Sequence, residues 1–151
     1  MGENMRKKLA LASALLLVLS MQPAQAATKV TVLNPSKVST KTGLVTLTVA
    51  GLPTTNGIYI SQCMGIDKAT NAPSVCNPAK ASTLWVSNLP ADQKMGAISG
   101  NGKLTLKVDK YFKGGDCIHT KCIIYVTNDH NSTDKTAIQA IPFKFGGINL
   151  F

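Results

Sequence analysis

Three patterns predict an all-β chain. Short runs of β-branched and apolar residues alternate with period two, turn dipeptides built on Gly, Pro, Asn and Asp fall between them, and no window after Ala26 carries a helical period. Seven such runs in a chain of 151 residues predict a seven-stranded immunoglobulin-like β-sandwich, whose two sheets bury alternate residues between them. A closed barrel fits the same strand count.

The first run, Lys29 to Leu33 (KVTVL), alternates and stops at Asn34-Pro35. Leu44 to Val49 (LVTLTV) follows and stops at Gly51-Leu52-Pro53. The remaining runs are Ile58 to Cys63, Ser82 to Val86, Lys103 to Val108, Cys122 to Thr127 and Ala137 to Phe145. Asn56-Gly57, Asn77-Pro78, Asn101-Gly102, Gly114-Gly115 and Asn128-Asp129 supply the turns between them. Proline cannot donate to a ladder, so Pro142 predicts an edge strand or a bulge in the last run.

The mature domain is expected to be residues 27 to 151. Met5-Arg6-Lys7-Lys8, the apolar run Leu9 to Leu19 and the A-x-A site Ala24-Gln25-Ala26 make residues 1 to 26 a secretory signal peptide, cut after Ala26. The apolar run is shorter than the roughly 20 residues that span a bilayer. No membrane anchor is expected, and the domain reads as a secreted, extracellular monomer.

The formal charge of +9 falls to about +7 once Glu3, Arg6, Lys7 and Lys8 are removed. All remaining positive charges are lysines and all negative ones aspartates. The bidentate arginine fork that reads guanine is therefore absent, which argues against sequence-specific nucleic-acid recognition. Loose attraction to polyanions such as DNA or wall polymers is compatible with the lysine excess.

Four cysteines in an exported chain read as two disulfides, for which three pairings exist. Nearest-neighbour pairing joins Cys63 to Cys76 and Cys117 to Cys122, each closure contributing about 2 to 3 kcal/mol. A metal site could be drawn through Cys117, His119, Cys122 and His130, but oxidised thiols do not ligate and the spacing fits no zinc signature. No metal is expected.

Enzyme chemistry has little to work with. Only His119 and His130 could serve as an imidazole base, and no G-x-S-x-G occurs. Asp67, Asp92, Asp109, Asp116, Asp129 and Asp134 are scattered through turns, where aspartate has a structural role. No catalytic residue is assigned. Asn131-Ser132-Thr133 fits a glycosylation pattern and is read as a turn. Tyr59, Trp85, Tyr111 and Tyr125 read as core or cross-strand packing, with stacking on bases or sugars as their other use.

One set of segments carries a resemblance. Thr42-Gly43, Val49-Ala50-Gly51-Leu52, Gln62-Cys63, Val75-Cys76-Asn77-Pro78-Ala79, Leu106-Lys107-Val108 ahead of Phe112, Asp116-Cys117, Cys122 and Ile141-Pro142-Phe143 resemble the neocarzinostatin family. The resemblance extends from about Val30 to Phe143, and Q-C followed by C-N-P-A is its most specific element. It implies a secreted seven-stranded sandwich with two local disulfides, an apoprotein that holds an enediyne chromophore non-covalently in a cleft. Antibiotic and antitumour activity, through DNA cleavage, would belong to that ligand.

By position, the resemblance implies a cleft lined by Ser61, the Cys63 to Cys76 disulfide, Gly65, Ala81, Ile123, Tyr125 and Thr127. The family pattern has aromatic side chains where this chain has Gly65 and Ala81, and glycines where it has Ser61 and Tyr125. Two functions are thus expected of this sequence. One is a carrier of a small apolar ligand. The other is an immunoglobulin-like interaction or structural module that engages polyanions or protein through lysines such as Lys103, Lys107, Lys110, Lys113 and Lys121.

Overall fold

A computed structural model describes residues 27–147. The predicted signal peptide lies outside the described residues. All seven expected runs are strands: β1 Lys29–Val32, β2 Leu44–Ala50, β3 Ile58–Met64, β6 Thr83–Val86, β7 Lys103–Lys107, β10 Cys122–Asn128 and β11 Gln139–Phe143. Four two-residue strands add to them: β4 Ile66–Asp67 pairs with β5 Ala72–Pro73, and β8 Tyr111–Phe112 pairs with β9 Gly115–Asp116. These small hairpins are too short to show a period in the sequence.

The large strands form two antiparallel sheets, ordered β1-β2-β7 and β11-β10-β3-β6. Their inner faces supply the core. Val30, Val45, Leu47, Leu104 and Leu106 from the three-stranded sheet pack with Ile58, Ile60, Val86, Ile124, Val126 and Phe143 from the other. Burying each such side chain contributes about 1.5 to 3 kcal/mol. Strand alternation therefore explains the architecture.

Pro142 lies on β11, at the edge of the four-stranded sheet, where a missing donor costs no ladder bond. That run is shorter than its sequence suggests at both ends. Asn128 Oδ1 accepts from the Ala137 amide at 3.1 Å, and Lys144 N–H turns to the Pro35 carbonyl at 2.7 Å. One short helix, α1 Pro90–Lys94, buries none of its side chains, so it leaves no apolar period to read.

Both nearest-neighbour disulfides are present, Cys63–Cys76 and Cys117–Cys122. With its sulfurs joined, the second pair offers no thiolate to a metal. Cys63 and Cys76 also bridge as antiparallel neighbours, and flanking bonds run Met64 N–H to Val75 O and Asn77 N–H to Gln62 O. The returning chain thus continues the sheet edge beside β3. No helix of the described residues is long and apolar enough to cross a membrane.

Candidate functional site

Alternation puts two sets of side chains on opposite sides of β3. Ile58, Ile60 and Gln62 face the core, while Tyr59, Ser61 and Cys63 face outward. On β10 the outward set is Ile123, Tyr125 and Thr127. Antiparallel register then opposes Cys63 to Ile123, Ser61 to Tyr125 and Tyr59 to Thr127. Five of the predicted cleft residues are thereby brought onto one face.

The other three sit at its margin. Cys76 is tied to Cys63 by the disulfide. Gly65 begins the turn into the β4–β5 hairpin, its amide donating to the Lys121 carbonyl at 3.0 Å. Ala81 is exposed on a 3-10 turn, Lys80–Ser82, immediately before β6. The eight residues trace one end of the four-stranded sheet's outer surface.

Part of this surface is covered. Cys63 and Ile123 are buried despite their outward phase, at 0% and 6% exposure, and Tyr59, Ser61, Thr83, Trp85, Tyr125 and Thr127 are half-buried. Ser61 and Thr83 share a hydroxyl hydrogen bond of 3.0 Å across β3 and β6. Beside it runs an aromatic row that the sequence reading did not assign to the site. Tyr59 stacks on Trp85 at 6.1 Å between ring centroids, and His130 stacks on Tyr59 at 4.8 Å.

The row has electrostatic consequences. Burial, then the carboxylates of Asp129 and Asp92, hold the Tyr59 phenol above its ordinary pKa, so it stays a neutral hydrogen-bonding group. The Trp85 indole N–H is buried with no partner among the described residues. It lies against Gly57, where an added Cβ would come within 2.8 Å of it. Glycine at this position leaves the room that the indole occupies.

A buried polar knot anchors the disulfide-closed segment. Gln62, wholly buried on the core side, donates from Nε2 to the Asp109 carbonyl at 2.6 Å and accepts at Oε1 from Asn77 Nδ2 and Asp109 N–H. Asn77 Nδ2 also reaches Ser82 Oγ at 3.0 Å and Asp109 Oδ2 at 2.9 Å. Its own Oδ1 accepts from the Ala79 amide. Q-C and C-N-P-A are therefore tied together in space: the glutamine and asparagine bind the segment to the loop after β7.

No family model matches the chain, and no curated protein matches it. Among solved structures, the fold is similar to the solution conformation of apokedarcidin, with a TM-score of 0.49 and 19% identity over 80% of this chain and 100% of that one. What the site can do is therefore decided by its own side chains.

The lysines are divided among several elements. Lys103 and Lys107 lie on the outward phase of β7, Lys110 and Lys113 belong to the β8–β9 region, and Lys121 precedes β10. Lys107 is spoken for in part by Asp109, 3.6 Å away.

Proposed function

We propose that this is an exported binding protein that holds a small, flat, largely apolar molecule non-covalently against the outer face of its four-stranded sheet. The observation that carries the reading is the half-buried pair Trp85 and Tyr59, with the exposed His130 ring stacked on Tyr59, next to the Ser61–Thr83 hydroxyl pair and Tyr125. Aromatic surface with a few placed polar groups is what binds a flat ligand with a fixed orientation. The two disulfides suit an oxidising, extracellular setting. In this reading the protein is a carrier without catalysis of its own, and the sequence resemblance to the neocarzinostatin family agrees with it. With Gly65 and Ala81 in place of rings, the grip comes from Tyr59 and Trp85.

Trp85 is the chain's one tryptophan, so its emission reports on this face alone. Titration of the mature protein with neutral anthraquinone is expected to quench that emission saturably, and Tyr125→Ala to weaken the effect. Absence of quenching across neutral polycyclic probes, together with a clean apo mass by native mass spectrometry of freshly secreted material, would overturn the reading.

A second reading is favoured by one observation. Lys29, Lys103 and Lys107 share the outer face of the three-stranded sheet with Thr31, Thr46, Thr48 and Thr105, and β1, β2 and β7 carry no acidic residue. Such a face attracts polyanions loosely, with affinity falling steeply as salt rises. Salt-dependent retention on heparin measures it.

A further inference from the structure

The half-buried aromatic face is not where the structure opens a cavity of about 310 Å³. That cavity lies where β10 begins and β11 ends, under the loop closed by Cys117–Cys122. None of Ser61, Cys63, Gly65, Cys76, Ala81, Ile123, Tyr125 or Thr127 lines it. It is a separate place on the molecule.

Local pairing explains why a hollow forms there. Cys122 opposes Phe143 at the β10–β11 edge, and beyond that point the chain leaves the sheet. Val38 and Phe145 form a parallel bridge, with Val38 N–H donating to Lys144 O at 3.1 Å and Gly146 N–H to Val38 O at 2.8 Å. Pro35 and Ser36 are held across the opening by the Lys144 N–H to Pro35 O bond. Two walls therefore stand apart, one from Pro35 and Ser36 and one from the disulfide loop.

The lining divides by chemistry. Ile118, Phe143 and Phe145 are 8%, 5% and 4% exposed, and the two rings meet edge-on at 5.8 Å, giving a firm apolar floor. Lys121 and Lys144, both exposed, stand at the rim with Ser36 and Thr120. Neither lysine makes an ion pair among the described residues, and no acidic residue lines the cavity. The volume is at the lower end of the roughly 300 to 1,000 Å³ of small-molecule sites.

We propose that this cavity is a second binding site, selective for a small amphipathic carboxylate whose apolar body lies over Phe143, Phe145 and Ile118 and whose carboxylate is drawn to Lys121 and Lys144. The apolar floor supplies affinity without preference among hydrophobes of similar size. The unpaired lysines supply the sign preference, worth a modest factor because they are exposed. No bond is made or broken.

Decanoate and decanol, an anion and a neutral molecule of equal chain length, separate the two contributions when each is titrated calorimetrically into the mature protein. Decanoate is expected to bind about three- to tenfold more tightly than decanol at low salt. The double variant Lys121→Gln/Lys144→Gln should remove that difference and leave decanol binding unchanged. Ser36→Trp, at an exposed rim position, should weaken both ligands together. Amide shift changes caused by decanoate should fall in residues 117–122 and 142–145, with Trp85 emission unmoved. Equal affinity of the two ligands for the unsubstituted protein, no binding of either, or shifts centred on Tyr59 and Tyr125 would each overturn the proposal, and the first two outcomes do not bear on anthraquinone binding at the aromatic face.

Discussion

The outer faces of the two sheets begin from the same strand alternation and end differently. On the three-stranded sheet, Lys29, Thr31, Lys103 and Thr105 are exposed, as expected for a face turned to water. On the four-stranded sheet the corresponding phase holds Tyr59, Cys63, Trp85, Ile123 and Tyr125, all half-buried or buried. The difference lies in what surrounds each face. The disulfide-closed segment covers one end of the four-stranded face, and His130 caps its aromatic row at the other. Neighbouring segments, not strand alternation alone, decide which outward sheet face is sheltered from water.

The largest expected effect strikes the anchor of that shelter. Gln62→Leu should cost about 3 kcal/mol in urea unfolding, because it leaves the part-buried Asp109 N–H and carbonyl without their Gln62 partners and takes one of three acceptors from the Asn77 amide. Anthraquinone quenching of Trp85 should fall as well, while amide shifts on β1 and β2 stay in place. A cost near zero would mean that the knot does not hold the segment.

Matched truncations test the faces directly. Tyr59→Ala removes a ring stacked on two neighbours and should destabilise by about 2 kcal/mol, whereas Thr105→Ala, on an exposed position of the other sheet, should cost about 0.5 kcal/mol. Equal costs would erase the distinction between the faces.

Acid should loosen the two loops flanking β10 before it affects the three-stranded sheet. The His119 backbone N–H and then its ring hold the Asp116 carboxyl below its ordinary value, and the Thr136 backbone N–H and then its hydroxyl do the same for Asp134. A lowered folded pKa gives stability that is present above the ordinary value of 3.8 and lost as pH falls through the lower folded value. The urea midpoint of the wild type should therefore drop below pH about 4, and Asp116→Asn or Asp134→Asn should flatten that drop. An unchanged acid limb in both variants would refute it.

The smallest effect concerns the lysine face. Lys29→Gln/Lys103→Gln should lower the salt concentration that elutes the protein from heparin without altering Trp85 quenching by anthraquinone. Unchanged elution would show that this face does not carry the polyanion contact.

Much of the fold was legible because strand signals are local. Period-two runs located all seven large strands, and sequence proximity paired the cysteines. The two minor hairpins and α1 were not legible, since elements of two to five residues with little buried surface leave no period. Gln62 did carry a usable signal: it is a polar residue in the inward phase of β3, and such a residue must find buried partners. The candidate site was only half legible. Ser61, Ile123, Tyr125 and Thr127 were expected from resemblance and share one outward face, but the Tyr59–Trp85 stack depends on the β3–β6 register, which joins residues 26 positions apart.

By itself the sequence determined the all-β class, the strand positions, the disulfide-forming neighbours and the basic charge, because each depends on residues close together in the chain. Only the tertiary structure decided which outward face is covered, which rings meet, and that Ile118, Phe143 and Phe145 frame a cavity rimmed by Lys121 and Lys144. Those properties arise from strand register and from segments crossing between the sheets, and neither is a property of any local stretch.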